Sequence, residues 1–206
     1  MNRVLLAIPT AQDLRANVAA YLAAMARRAD TAPLVMPGRP ADYARNQICR
    51  AFCADARFTH LWFIDSDTEP PADALDRLLA LDVSIATGCY GILMPSGPRW
   101  ALLARDPQGR YRLLGRLIRD DGPFEVDACG AGCLLVRRDV IERLGWPWFR
   151  WRERRNGSQL SEDIFFCRRA NRLGLRVVAD PAVRCGHPKP IDLTALLSAA
   201  QRTTDD

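Results

Sequence analysis

The amino-acid sequence predicts an α/β protein in which helices cover both faces of a mostly parallel central sheet. Short, largely apolar runs alternate with segments of helical periodicity through the first ninety residues, which is typical of parallel sheets. The chain has 206 residues, 49% hydrophobic and 26% charged, enough for a well-formed core. An Asp-Pro-Gln-Gly turn at 106–109 adds a small hairpin. These observations exclude disordered, collagen-like and disulfide-dependent small folds.

The first half of the chain predicts four strands and three helices. Largely apolar runs of five residues, each followed by Pro, Asp or Gly, predict buried strands at 4–8, 32–36, 60–64 and 83–87. Apolar residues at helical spacing predict helices at 13–29 and 41–56. The Pro70-Pro71 pair predicts the start of the third helix, because proline is favoured in the first helical turn.

The second half predicts shorter strands, two helices and one long loop. Segments 100–104 and 111–114 flank the turn of the hairpin, 126–129 and 133–136 flank a Gly-rich step, and 176–179 is the last strand. A helix at 139–144 precedes an aromatic, Arg-rich segment at 146–159, which we expect to be a mobile loop that closes over a ligand or packs its aromatic residues inward. Ser161 is expected to cap a helix that Gly174 ends.

Composition bounds the organisation and the partners of the chain. We expect a single domain over 1–206, with a polar, frayed tail after Ala200, because no linker or repeat is visible. No apolar run approaches the ~20 residues of a membrane span, and the N-terminal run is too short for a signal peptide. Seven cysteines, an odd number, favour reduced thiols and a cytoplasmic location. The net charge of +5 is compatible with a nucleotide, a nucleic acid or an acidic lipid surface.

Acidic residues follow the strand predicted at 60–64. Asp65 and Asp67 of the Asp65-Ser66-Asp67 segment are two positions apart, so in an extended chain both carboxylates reach one cation. Ligands of open α/β sheets bind at the carboxyl ends of the strands, where this segment lies. Hard oxygen ligands suit Mg²⁺ or Mn²⁺. The alternative is a turn whose side chains only cap the next helix.

Two further clusters hold potential catalytic groups. Glu162 and Asp163 open a helix directly after the long loop, where they either stabilise the helix N-terminus or project into a cleft. His187 follows the last strand and offers a nitrogen ligand, or is simply a hydrogen-bonded surface residue.

The ordered set of these motifs resembles the GT-A fold glycosyltransferases of the family 2-like type. The motifs that carry the resemblance, over roughly residues 3 to 188, are Ile8-Pro9-Thr10, Ala44-Arg45-Asn46, Asp65-Ser66-Asp67, the block from Asp127 through Gly130-Ala131-Gly132 to Arg138, Ser161-Glu162-Asp163 and Gly186-His187. The resemblance implies the GT-A fold and metal-dependent transfer of a hexose or related sugar from a nucleotide-sugar donor to a hydroxyl acceptor. Inversion at the anomeric carbon is the expected outcome.

The resemblance also implies roles for single residues. Asp67 and His187 would bind a divalent cation, Mn²⁺ or Mg²⁺, with Asp65 on the metal or the ribose. Asp163 would be the general base, and Glu162 would orient the acceptor or the base. The remaining expected contacts of the donor, a UDP-sugar or else a GDP-sugar, are Pro9, Thr10, Arg45, Gly130 and Gly132.

The acceptor and two rival functions stay open at this point. The acceptor is expected to be a glycan, a lipid-linked glycan, a protein or modified bases in DNA. The first rival is a phosphoryl-transfer enzyme or nuclease in which Asp65, Asp67 and Asp163 hold two cations. The second is a nucleic-acid or sugar-binding module without catalysis. A Rossmann dehydrogenase is disfavoured because no G-x-G-x-x-G follows the first strand.

Overall fold

The structure is a computed structural model that describes residues 2–11, 14–115, 121–153, 157, 159–189 and 194. The helices are α1 (Ala16–Met25), α2 (Ala41–Ala54), α3 (Ala74–Ala80), α4 (Arg138–Leu144) and α5 (Glu162–Arg172). The strands are β1 (Val4–Thr10), β2 (Thr31–Pro37), β3 (His60–Ile64), β4 (Ile85–Met94), β5 (Gly97–Trp100), β6 (Leu102–Arg105), β7 (Tyr111–Leu113), β8 (Phe124–Val126), β9 (Ala128–Cys129), β10 (Cys133–Arg137), β11 (Arg152–Glu153), β12 (Gln159–Leu160) and β13 (Val177–Cys185).

The central sheet is mostly parallel, as the sequence predicts. Its strand order is β2-β1-β3-β10-β4-β13-β8. Strand β1 pairs in parallel with β2 and β3, and β4 pairs in parallel with β13. Strand β10 runs antiparallel between β3 and β4, and β8 is antiparallel to β13. The carboxyl ends of β1, β2 and β3 therefore lie together at one edge.

Two apolar clusters, one on each face, bury the middle of this sheet. All seven residues of β1 are buried, because neighbouring β1 side chains enter opposite clusters: Leu5 packs with Phe52 of α2, and Leu6 packs with Leu75 of α3. A strand covered on both faces must be apolar at every position, which explains its continuous apolar run.

Most predicted elements are confirmed, including the hairpin, which β6 and β7 form. Several elements differ in extent. Helix α1 ends at Met25 rather than at 29, and the strand predicted at 126–129 is divided between β8 and β9. Helix α3 begins at Ala74 rather than at Pro70, after a turn. Strand β4 continues to Met94 and folds back on β5, and β13 continues past a register shift to Cys185, so both reach further toward the carboxyl edge than their apolar runs indicate.

The aromatic, Arg-rich segment is divided between core and surface. Trp148 and Phe149 are buried, whereas Trp146 and Trp151 are 64% and 46% exposed. The side chain of Asn46 on α2 fixes the segment, because its Oδ1 accepts the backbone N–H groups of Trp148 and Phe149 at 3.0 and 3.1 Å. The Asn46 amide also donates to the Phe149 carbonyl at 2.7 Å. Inward packing thus accounts for two of its aromatic residues.

Some expectations fall outside the described residues. They are the first residue of the predicted helix at 13–29, Arg154 and Arg155 of the aromatic segment, and the polar tail after Ala200. Within the described part of the chain, no helix has the length and apolar character needed to cross a membrane.

Candidate active site

A polar cavity of about 330 Å³ opens at the carboxyl edge of the sheet. It lies where β1, β2 and β3 end, which is the usual ligand position in open α/β sheets. The structure brings seven of the predicted site residues to this cavity: Pro9, Thr10, Arg45, Asp65, Asp67, Glu162 and Asp163. Its other walls come from the turn after β2 and the start of α2, at Gly38, Arg39 and Ala41.

The Asp65-Ser66-Asp67 segment is a turn and not an extended continuation of β3. The backbone N–H of Asp65 donates to the Gly132 carbonyl at 3.1 Å, and the N–H of Thr68 donates back to the Asp65 carbonyl at 3.0 Å. In a turn, residues two apart do not share one direction. The two carboxylates accordingly bind different partners. Asp65 binds Arg45 of α2, and Asp67 contacts His187 in the segment after β13.

Arg45 joins the two acidic motifs. Its guanidinium is buried and donates from Nη2 to Asp65 Oδ1 at 2.6 Å and from Nη1 to Glu162 Oε1 at 2.5 Å. The attraction of these carboxylates outweighs the burial of the guanidinium, so the pKa of Arg45 is raised. Arg45 lines the cavity as predicted, yet its two terminal nitrogens are committed to the acids, and it fixes α5 relative to the end of β3.

Glu162 and Asp163 begin α5 and occupy different environments. Burial raises the pKa of Glu162 to about 7, even with Arg45 beside it. Burial also raises the pKa of Asp163. The Ser161 hydroxyl donates to Asp163 Oδ1 instead of capping the helix, and the Ile164 N–H donates to the same oxygen at 2.7 Å. Among the described residues, none donates a hydrogen bond to Asp163 Oδ2.

Asp67, His187 and Lys189 form the second charged group. His187 Nε2 lies 3.3 Å from Asp67 Oδ1, and the Lys189 ammonium contacts Asp67 Oδ2. His187 Nδ1 lies 2.6 Å from the Gly91 carbonyl oxygen, which only accepts, so Nδ1 carries a proton and Nε2 faces Asp67. The hydrogen bond to Asp67 raises the pKa of His187, and His187 together with Lys189 lowers that of Asp67.

Hydrogen bonds hold the segment after β13 beside the turn that carries Asp67, although neither His187 nor Lys189 is among the described residues that line the polar cavity. Gly186 and Glu69 exchange two backbone hydrogen bonds of 2.8 Å, which ties the segment to the turn after β3. Arg15, at the start of α1, donates to the Pro188 carbonyl at 2.6 Å. These contacts place His187 and Lys189 beside Asp67.

The ligand atoms at Asp67 and His187 fit a divalent cation that takes its remaining ligands from a phosphate group and water. Within the described ranges, no group of three His, Cys, Asp or Glu side chains is arranged to hold a metal ion by itself. Protein Mg²⁺ sites in phosphate chemistry commonly use only one or two carboxylates and take further ligands from phosphate and water. A carboxylate and a correctly oriented imidazole meet that requirement, while Asp65 is held by Arg45.

Gly130 and Gly132 make room for Tyr90, a residue that the sequence did not single out. A Cβ on Gly130 would lie 1.9 Å from the Tyr90 hydroxyl oxygen, and one on Gly132 would lie 2.9 Å from its Cζ. The Gly132 N–H donates to that hydroxyl oxygen at 3.2 Å, and the His187 ring packs edge-on against the Tyr90 ring at 5.3 Å. Packing against Tyr90 therefore explains why glycine stands at both positions, without a ligand.

Gly130→Ala is expected to destabilise the protein by about 1–3 kcal/mol, because the methyl group overlaps Tyr90. Thermal unfolding measures the loss. Gly115→Ala is the matched control, since a Cβ there has no heavy atom of the described chain within 4 Å. Equal melting temperatures of the two variants would contradict this account of Gly130.

The fold is of the GT-A type found in glycosyltransferases. A family model described as glycosyltransferase like family 2 matches residues 5–205, and the chain belongs to this family. Family membership favours a glycosyltransferase over the phosphoryl-transfer alternative.

Two crystal structures share the fold. A197 from STIV is similar with a TM-score of 0.62 and 18% identity, over 91% of this chain and 86% of that one. GalNAc-T7, crystallised with UDP, GalNAc and Mn²⁺, is similar with a TM-score of 0.58 and 12% identity, over 93% of this chain and 44% of that one. The match thus spans less than half of the GalNAc-T7 chain. No curated protein matches the chain in sequence.

Proposed function

We propose that the protein transfers a sugar from a nucleoside-diphosphate donor to a hydroxyl acceptor, with a divalent cation at Asp67 and His187 and Asp163 as general base. The observation that carries this proposal is the convergence of Asp65, Asp67, Glu162 and Asp163 on one cavity at the carboxyl edge of the sheet. Such a reaction needs positive charge on the diphosphate and a base on the acceptor hydroxyl.

The cavity is suited to the nucleotide part of the donor. Its volume of about 330 Å³ lies within the range of small-molecule sites. Pro9 and Thr10 form the wall at the end of β1, beside Gly38 and Arg39, where we place the base and the ribose. The UDP in GalNAc-T7, a protein of the same fold, supports a UDP-sugar ahead of a GDP-sugar.

The cation in this proposal is Mn²⁺ or Mg²⁺. When bound, it neutralises the charge that develops on the departing diphosphate. Asp67 Oδ1 and His187 Nε2 are the protein atoms that would hold it, and the Gly91 carbonyl keeps His187 in the required tautomer. Among the described residues, Lys189 also contacts Asp67, and its ammonium adds positive charge beside that carboxylate. The Mn²⁺ in GalNAc-T7 supports this assignment.

Asp163 is the better candidate for the base, and Glu162 for the group that positions it. Glu162 is 5% exposed and bound to Arg45, so its carboxylate is held within the protein. Asp163 is fixed through one oxygen by Ser161 and Ile164, which leaves Oδ2 for an acceptor hydroxyl. Direct attack of that hydroxyl on the anomeric carbon, with one base and no covalent intermediate, inverts the configuration.

The pH dependence follows from the raised pKa of Asp163. A general base must be ionised, so kcat at saturating donor and metal falls as the pH drops through this pKa. We expect the acidic midpoint above the ordinary aspartate value of about 3.9. Donor binding measured at the same pH values separates this effect from protonation of His187. An unchanged kcat down to pH 4 would contradict the assignment.

Thermal shifts with UDP, GDP, UDP-sugars and GDP-sugars, each with and without Mn²⁺, test the proposal. A ligand that binds only the native state at about 100 times its Kd raises the melting temperature of a chain of this size by about 5–10 °C. The expected result is a shift with one nucleotide class that requires Mn²⁺. No shift with any of them would overturn the proposed function.

A further inference from the structure

A second cavity lies on the other side of Asp163. It measures about 260 Å³ and shares Asp163 with the polar cavity. Its walls are formed by Ile92 and Met94 of β4, Leu103 of β6 and Leu113 of β7. Asp163 therefore borders both a polar cavity, suited to a donor, and this apolar cavity.

The walls of the apolar cavity offer almost no polar group to a ligand. Tyr90, Ile92 and Met94 alternate along β4, so they face the cavity from one side of the strand. The Tyr90 hydroxyl oxygen accepts the Gly132 N–H, and the Ser161 hydroxyl, which also lines the cavity, donates to Asp163. Apart from Asp163, the described residues that line the cavity carry no charge. A ligand here meets mostly hydrocarbon walls, one carboxylate, and the hydroxyl groups of Tyr90 and Ser161.

We infer that the acceptor is an uncharged alcohol or phenol whose apolar ring or branched chain fills this cavity and whose hydroxyl meets Asp163. The inference rests on the proposed function. In the transfer, the acceptor oxygen bonds to the anomeric carbon and its proton passes to the Asp163 carboxylate. The bond from that carbon to the diphosphate oxygen breaks, and its electron pair leaves with the nucleoside diphosphate.

Physical chemistry disfavours the more polar acceptors. A saccharide would bury hydroxyl groups against Ile92, Met94 and Leu103, where they find no partner, and each unpaired polar group costs free energy. A nucleic acid would need cations, and none of the described Arg or Lys side chains lines the cavity. The volume lies below the ~300–1,000 Å³ of sites for drug-sized ligands, so a ring-sized group fits.

The chain provides a matched pair of variants for the test. Leu93 and Met94 are neighbours on β4 and face opposite sides of the strand, and only Met94 lines the cavity. Both side chains are exposed, 67% for Leu93 and 37% for Met94, so either accepts a charged group without unfolding the core. Met94→Glu places a carboxylate at the cavity, and Leu93→Glu places the same charge outside it.

The experiment measures consumption of the nucleotide sugar that the thermal-shift panel identifies, with Mn²⁺ and a set of acceptors. The apolar probes are benzyl alcohol, 4-methylphenol and geraniol, and the polar probes are glycerol, glucose and a single-stranded DNA oligonucleotide. We expect faster consumption with an apolar probe, at least about tenfold lower kcat/KM in Met94→Glu, and no change in Leu93→Glu.

Donor binding separates the two possible failures. If the donor binds with Mn²⁺ but only the polar probes accelerate its consumption, the inference about the acceptor is wrong and the proposed function stands. Equal losses of kcat/KM in Met94→Glu and Leu93→Glu would also overturn the inference about the acceptor. If no nucleotide sugar binds in the presence of Mn²⁺, the proposed function itself fails.

Discussion

Asp163→Asn is expected to lower sugar transfer by about 10²–10⁴-fold while donor binding stays unchanged, which is the range for loss of a general base. The amide has nearly the shape of the carboxylate and still accepts the Ser161 hydroxyl and the Ile164 N–H through its oxygen. It cannot take a proton from the acceptor. Steady-state transfer rates, together with calorimetric titration of UDP and Mn²⁺, measure both effects.

Glu162→Gln is the comparison variant for this prediction. Glu162 precedes Asp163 on α5, but its carboxylate is bound to Arg45. We expect a smaller loss of transfer, because the amide still accepts from the guanidinium. If Asp163→Asn kept nearly full activity and Glu162→Gln lost it, the assignment of the two acids would have to be exchanged.

Asp67→Ala is expected to abolish the metal dependence of donor binding. Loss of partners that only support a metal ligand typically weakens metal binding by 10–100-fold, so loss of the ligand itself should cost at least about a hundredfold. His187 Nε2 then lacks its carboxylate neighbour. Titration of UDP with and without Mn²⁺ measures the change.

Asp73→Ala is the control for Asp67→Ala. Asp73 is an exposed carboxylate on the next turn of the chain, just before α3, and is not among the residues that line the polar cavity. Its removal changes the net charge equally. Equal weakening of Mn²⁺-dependent binding in both variants would show that Asp67 acts through net charge and does not hold the cation.

The fold was predictable because its main signals are local. Apolar runs identified β1 and β3, helical periodicity identified α2, and the end signals at Ser161 and Gly174 identified α5. The extensions of β4 and β13 were not predictable, because Gly88 and Gly91 interrupt the apolar run of β4 and exposed residues such as Arg184 alternate with buried ones in β13. Pairing with neighbouring strands, a long-range contact, decides these ends.

The residues of the candidate site were predictable from the sequence, whereas their arrangement in space was less so. The order of motifs indicated Asp65, Asp67, Glu162 and Asp163, which the structure places on one cavity. The commitment of Arg45 to two carboxylates depends on contacts 20 and 117 residues apart in the chain. No sequence pattern revealed these distances.

Residues that the sequence analysis missed act through packing or through short contacts. Tyr90 lies in an apolar run, and only the structure shows its ring filling the space above Gly130 and Gly132. Lys189 is the only lysine of the chain, and this fact alone gives it no role. Its ammonium reaches Asp67 because β13 continues past its apolar run to Cys185.

The most direct measurement for the central claim is calorimetric titration of UDP into the wild-type protein, Asp67→Ala and Asp163→Asn, each with and without Mn²⁺. The account predicts Mn²⁺-dependent binding of equal strength in the wild-type protein and Asp163→Asn, and its loss in Asp67→Ala. Binding that is independent of Mn²⁺ in all three proteins, or equally weakened in both variants, would contradict it.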